Sequence, residues 1–282
     1  MNAASDTLEV AASATIGTQI RAEIIRLFSD SREILRGELV NAFVPFCPFY
    51  EPGKRALSIM SYRELEELKY FCDRHNSLIR LIDQGAWPHD DAKEMATRWR
   101  MAVYCHIMES DFPLLVIMNL LRLADDLDPT WAFFCRDKVD DSVKLDVEGN
   151  PKTLEKRHQK FEHLGRYSNA GALPDLLLRL WNSELRNAYA HSQYAITQSG
   201  NVAFSKYWTG ATGQTAGLVQ QHQTNIMHGE LNTLHAAAVE YFASFFDEFA
   251  HCMHQYTQGK PVQTRIGKVR FDNESGNWIP AR

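Results

Sequence analysis

GELNTLHAAAVEYFASFFDEFAHCMHQY, residues 229–256, is the stretch on which the fold turns. Leu231, Leu234, Ala238, Phe242, Phe245, Phe249 and Cys252 recur in it at steps of three and four. That spacing draws one apolar stripe along a helix and predicts helix from about Gly229 to Tyr256, packed against other helices. Tyr241, Phe242, Phe245 and Phe246 cover more than one face. Another element, or another copy of the chain, has to bury part of them.

The same period runs through most of the chain. Ser61-Tyr-Arg-Glu64 reads as a capping box that opens a helix running to about Gln84. Pro88 suits the first turn of the next helix, where its missing N–H costs nothing. That helix carries Met95, Trp99, Val103 and Ile107 at steps of four. Pro113 removes a backbone hydrogen bond and should kink or divide it, with the second half ending near Ala124. Thr18 to about Phe43 is a further helix, and Pro174 opens one whose apolar stripe is Leu177, Trp181, Leu185 and Ala188.

Few segments read as extended. Residues 193–198, Ser199-Gly200 and residues 201–206 form a hairpin pattern with glycine at the turn. Residues 268–271 and Trp278-Ile279, joined across Asn273 to Gly276, suggest a second. Residues 43–55, with Pro45, Pro48, Pro52 and Gly53, read as loop, as does most of 125–151. The expected class is all-α: a helical bundle with an extra N-terminal helix and a small β-hairpin. Residues 1–17 are polar and small and are expected to be mobile. Residues 18–257 form the helical domain, and 258–282 a tail with the possible second hairpin.

Of the 282 residues 45% are hydrophobic, ample for a core, and the net charge is -5. No global basic footprint marks a constitutive nucleic-acid binder. A local patch remains. Lys152, Lys156, Arg157, Lys160, Arg166, Arg179 and Arg186 outnumber Glu155, Glu162, Asp175 and Glu184, and Lys260, Arg265, Lys268 and Arg270 follow in the tail with no acid between them. An acidic stretch, Asp125, Asp126, Asp128, Asp137, Asp140 and Asp141, balances them. Cys47, Cys72, Cys105, Cys135 and Cys252 are odd in number and scattered, which reads as reduced thiols and a cytoplasmic location. Asp6 and Glu9 disfavour a signal peptide. The apolar run from Phe112 to Ala124 is interrupted by Asn119 and Arg122, and it is shorter than the roughly 20 residues a bilayer needs, so no membrane partner is expected.

The chemistry concentrates in Arg186-Asn187-Ala188-Tyr189-Ala190-His191. Asn187 and His191 are one turn apart and share a helix face. Arg186 and His191 are about 140° apart on an ideal helix. They converge if the arginine reaches round or if the helix ends before His191, which the hairpin starting at Gln193 favours. A histidine at a helix C-terminus is favoured as the cation and titrates near neutrality. It can take a proton from a ribose 2′-hydroxyl or return one to the leaving oxygen. Arginine offers a fixed fork of donors to a phosphate and to the charge developing on it. The candidate catalytic set is Arg186, His191 and Asn187, with no metal or cofactor called for.

An Arg-Asn-x-x-x-His hexamer at the end of a helix in an all-α chain resembles the HEPN superfamily. Its motif is Arg, a polar residue, three more residues, then His. The hairpin after the histidine and the long final helix are also similar to many members, so the likeness covers about Leu173 to Tyr256. The resemblance implies an up-and-down four-helix core and metal-independent RNase activity. It also implies a site formed across a two-fold homodimer, and a role in toxin–antitoxin or other defence systems with a possible antitoxin or regulatory partner. RNA is the partner it points to, and a 2′,3′-cyclic phosphate is the product its chemistry would leave.

Other residues carry two readings each. Arg186 and His191 also suit a solvated helix C-terminus. Tyr189 and Tyr194 are candidates to stack a base, or to pack beside the hairpin. Lys160 is a candidate phosphate contact, and His158 and His163 either join it or form a solvated face. Glu109 and Asp111 precede Pro113 in an apolar helix and call for a partner, with Arg186 a candidate and a surface salt bridge or simple exposure the alternatives. His251 and His254 are one turn apart, but Cys252 belongs to the apolar stripe, so a zinc site is not favoured. No phosphate-binding loop, dinucleotide glycine motif or Gly-x-Ser-x-Gly occurs. A non-catalytic module binding RNA, nucleotide or protein, and a structural dimer built on the Tyr241 to Phe246 aromatics, are the rival functions.

Overall fold

The computed structural model describes residues 3–35, 39, 41–43, 62–87, 91–127, 157–208, 219–256, 260–264, 267–274 and 277–281. The chain is mostly helical, with two small antiparallel sheets. In order come α1 (Ala3–Leu35), α2 (Tyr62–Asp83), α3 (Ala92–Glu109), α4 (Phe112–Ala124), α5 (Arg157–Leu164), α6 (Leu173–Leu180) and α7 (Ser183–Ala190). Strands β1 (Tyr194–Ile196), β2 (Val202–Trp208) and β3 (Val219–Ile226) follow, then α8 (His228–Tyr256) and strands β4 (Val262–Thr264), β5 (Gly267–Asp272) and β6 (Asn277–Pro280). Ser61, Pro88 and the loops expected over 43–55 and 125–151 lie wholly or largely outside the described residues.

Most boundaries follow the sequence pattern. Helix α1 begins at Ala3, ahead of the expected Thr18, and ends at Leu35, short of the expected Phe43. Pro113 divides its helix as expected and sits in the first turn of α4. The helix opened near Pro174 is two helices, α6 and α7, broken at Trp181-Asn182. Each hairpin carries a third strand: β1-β2-β3 and β4-β5-β6 are three-stranded sheets. Strand β3, Val-Gln-Gln-His-Gln-Thr-Asn-Ile, has no apolar alternation to announce it.

The chain falls into two compact units: Met1–Gly17, Tyr70–Met108 and Leu180–Val239 in one, and Thr18–Lys69, Glu109–Arg179 and Glu240–Arg282 in the other. In the second unit the core is aromatic. Phe245 and Phe249 of α8 lie nearly parallel at 5.6 Å, and Phe43 and Phe112 meet Phe249 edge-on at 5.1 and 5.4 Å. Phe28 of α1 meets Phe245 at 6.0 Å. Tyr241, Phe242 and Phe245 are buried by this chain itself, and Lys69 lays its ammonium over the Phe246 ring at 5.4 Å. The aromatic face of α8 is therefore mostly core, the alternative in which other elements of the chain bury it. Helix α4 is apolar all round, as a central helix must be, with twelve of its thirteen residues buried. The span Ala92–Ala124 is long and apolar enough to cross a membrane, but 78% of its most apolar window is buried inside the protein. In the tail sheet Val269 and Phe271 point inward while Lys268 and Arg270 stay exposed, the alternation a half-buried strand requires.

In the first unit the break between α6 and α7 is held by one side chain. The buried Tyr104 hydroxyl donates to the Leu180 carbonyl at 2.9 Å and accepts from the Asn182 N–H at 2.7 Å. Burial raises the Tyr104 phenol well above its ordinary value. Asn182 then caps α7, its Oδ1 accepting from Leu185 N–H at 2.9 Å. Helix α8 starts in the same unit, where Asn201 Oδ1 takes the otherwise unpaired His228 N–H at 2.9 Å. Gly200 turns the hairpin at φ 84°, and a Cβ there would stand 2.9 Å from His228 Nδ1. That position needs glycine for both its conformation and its clearance.

A polar cluster of the first unit gathers around the buried Arg100. Arg100, its side chain 5% exposed, binds both oxygens of Asp83 at 2.7 and 2.6 Å. His235 meets Asn76 Oδ1 at 2.8 Å. Burial, with the nearby Arg100 charge adding to it and Asp83 opposing, pushes His235 down to about 4. The same causes lower His228.

Two predictions follow from these contacts. Tyr104→Phe strands the Leu180 carbonyl and the Asn182 N–H, and should cost about 1–3 kcal/mol in urea unfolding with little change in m; an unchanged midpoint would show the hydroxyl to be dispensable. Folded His235 stays neutral while the unfolded imidazole gains a proton below about pH 6.5. Stability should therefore be full above that pH and fall on acidification towards pH 4, by up to about 3 kcal/mol. His235→Gln should flatten this limb of the pH–stability curve, and an equally steep limb in that variant would assign it elsewhere.

Candidate active site

Helix α7 places the hexamer. Leu185 and Ala188 are its buried positions, so Arg186 falls to one side and is half-buried, while Asn187 and His191 are exposed. His191 is the C-cap residue, as the sequence leads one to expect, with φ -98° and ψ 4°. The chain leaves the helix by a doubly hydrogen-bonded turn. Ser192 N–H donates to Tyr189 O at 3.1 Å and Gln193 N–H to Ala188 O at 2.9 Å, with Ser192 left-handed at φ 53°. This is the Schellman arrangement, with serine standing where glycine is usual. His191 N–H adds a 3.0 Å bond to Asn187 O. Three successive amides thus fix the histidine backbone.

Arg186 donates from its guanidinium to Asn187 Oδ1 at 3.0 Å. The three catalytic candidates thus occupy one helix end, and Asn187 joins them by accepting from Arg186 with its side chain and from His191 with its carbonyl.

Tyr189 and Tyr194 flank the motif and lie on each other, rings 21° from parallel with centroids 6.4 Å apart. Both are half-buried, and burial raises the Tyr189 phenol. Sequence reasoning missed two residues of α3 that touch them. Arg98 places its guanidinium 5.7 Å from the Tyr194 centroid and donates to its hydroxyl at 3.4 Å. His106 meets the Tyr189 ring at 6.5 Å and 70°. Glu94, Arg98 and His106 are exposed at steps of four and eight, the only trace of this face in the sequence.

The remaining candidates belong to the second unit and do something else. Lys160 binds Asp111 Oδ1 and Oδ2 at 2.7 and 2.8 Å, and Arg157 binds Oδ1 at 2.8 Å. The Lys160 and Arg157 side chains are 8% and 10% exposed. Asp111 therefore has Arg157 and Lys160 as partners, a salt bridge within the second unit, and its described hydrogen bonds include none from the candidate Arg186. Lys160, expected to contact a phosphate, is a buried internal ion-pair partner. Two cations of the sequence-level basic patch are spent in this way, while Arg166 and Arg179 stay exposed. Glu109 is exposed at the end of α3. His158 is exposed, and His163 is buried at 3.5 Å from the Tyr167 hydroxyl. The Cys252 thiol is buried in the α8 stripe, where Arg32 donates to it at 3.8 Å and burial pushes it up to about 11.

The left-handed serine gives a direct test of this helix end. Ser192→Gly should hold or raise the melting temperature, and Ser192→Val should lower stability by about 1–2 kcal/mol, because a branched residue resists φ above zero. A neutral valine would show that the turn relaxes without cost. Comparison of the chain with protein-family models, curated proteins and solved structures finds no significant match.

Proposed function

We propose that the chain is a metal-independent endoribonuclease of HEPN type. The observation that carries this reading is the helix end itself: an exposed histidine at the C-cap of a turn closed by three amides, with Asn187 accepting from His191 N–H through its carbonyl and from the Arg186 guanidinium through its side chain. Three roles follow. His191 takes the proton from the ribose 2′-hydroxyl, whose oxygen attacks the adjacent phosphorus. Arg186 binds the non-bridging oxygens and the charge that grows on them. Asn187 keeps the arginine aimed. The imidazolium so formed returns a proton to the 5′-oxygen as its bond to phosphorus breaks, and the other fragment keeps a 2′,3′-cyclic phosphate.

The working unit in this reading is a cytoplasmic homodimer that brings two such helix ends to one RNA, on an up-and-down four-helix core. It acts in a toxin or antiviral-defence setting and is held in check by an antitoxin or regulatory protein. The net charge of -5 favours a second reading, a HEPN-like module that binds RNA, nucleotide or a protein partner without turnover. Turnover separates the two.

Purified protein incubated with total cellular RNA in EDTA should cleave it and leave cyclic-phosphate ends. His191→Ala and Arg186→Ala should each cut about 10²–10⁴-fold more slowly. Cleavage that persists in either variant, or that needs a divalent metal, would end this reading. Binding without cleavage would select the second.

A further inference from the structure

Beside the motif, Arg98 and His106 of α3 join Tyr194 of β1 and Tyr189 of α7 in a row, Arg98, Tyr194, Tyr189 and His106, each in contact with the next. Its ends are fixed. Glu94 binds the Arg98 guanidinium through Oε1, and this bond is the largest cause of the raised Arg98 pKa. His106 Nδ1 meets Ala102 O at 3.3 Å, and its ring rests on Phe71 at 4.8 Å. The two tyrosines come from either side of His191 and are only half-buried. Tyrosines that served packing alone would not need a guanidinium on one ring and an imidazole on the other, both at the surface. Aromatic faces flanked by a planar cation are the means by which proteins hold unstacked bases.

We infer that this row is the subsite for a nucleobase next to the scissile phosphate, with Arg98 as a positioning residue supplied by α3. The inference rests on the RNA-cleaving reading and names the part of the substrate that the row takes. Glu94 already neutralises Arg98, so the guanidinium acts through its plane more than through its charge. The base must be unpaired in the bound RNA, because a base within a duplex has no free face.

The test uses the full-length His191→Ala protein, which spares the RNA, and a fluorescein-labelled octauridylate read by anisotropy. Tyr194→Ala and Arg98→Ala, each added to that protein, are expected to weaken binding about tenfold or more, and Tyr194→Phe to change it less than about twofold. Arg98→Lys is expected to behave as Arg98→Ala, because an ammonium has no plane to stack. A second set of probes carries one abasic nucleotide at each position in turn, which removes a base and keeps its phosphate. One of them should bind His191→Ala protein more weakly, and most of that loss should vanish when Tyr194→Ala is added. A role in folding alone would not produce that coupling. Should Tyr194→Ala unfold, Arg98→Ala and the abasic series on His191→Ala protein carry the test. Equal binding of all probes by all variants overturns the base subsite, while EDTA-resistant cleavage that depends on His191 would still stand. No probe binding by any variant and no cleavage by the unmutated chain would overturn both.

Discussion

The Tyr104 hydroxyl is the contact on which the candidate site depends. A helix running without interruption from Leu173 through Ala190 would carry Arg186 and His191 in a phase set by α6. The chain instead stops at Leu180 and restarts at Ser183, and a break of that kind leaves a carbonyl and an amide without partners in a buried place. One phenol answers both, as donor and as acceptor. Once the break is satisfied, Asn182 caps a fresh helix whose phase is its own. The cost of building a hexamer on a short helix is met by a side chain from α3, the helix that also supplies Arg98 and His106.

Buried charge has a consistent use in this protein. Arg100 with Asp83, and Lys160 and Arg157 with Asp111, are cations that have lost most of their water and found a carboxylate with more exposure than themselves. Such pairs seldom add much stability over an apolar alternative, but removing one partner is costly, because the other is left charged and dry. Their value is positional. Asp111 ties α5 to the start of α4, and Asp83 ties the end of α2 to the middle of α3.

Much of the fold was legible because apolar periodicity is a strong signal wherever a helix buries one face. The stripe from Leu231 to Cys252 and the division at Pro113 appear where they were expected. So does the placement of His191 at a helix end, since the hairpin that must follow leaves no room for more helix. Three features were not legible. The break at Asn182 depends on a hydroxyl from Tyr104, which no local pattern connects to it. Strand β3 is polar along most of its length and forms because β2 offers it a ladder of backbone partners. The partners of Asp111 come from α5, and sequence spacing cannot choose between Arg157, Lys160 and Arg186. Arg98 and His106 were hidden for a related reason: exposed polar residues on a helix carry no mark of what lies beside them.

The turn at Ser192 has a mechanical consequence. Gln193 closes the helix end and Tyr194 is already paired with Phe204, so no slack residue separates the last turn of α7 from the first rung of the sheet. Helix phase and strand register are geared together. Shortening or lengthening this junction by one residue would not lengthen a loop. It would either unwind the cap or exchange the inward and outward faces of β1, with Tyr194 carried to the opposite side of the sheet. The junction therefore couples the orientation of the last turn of α7 to the register of β1.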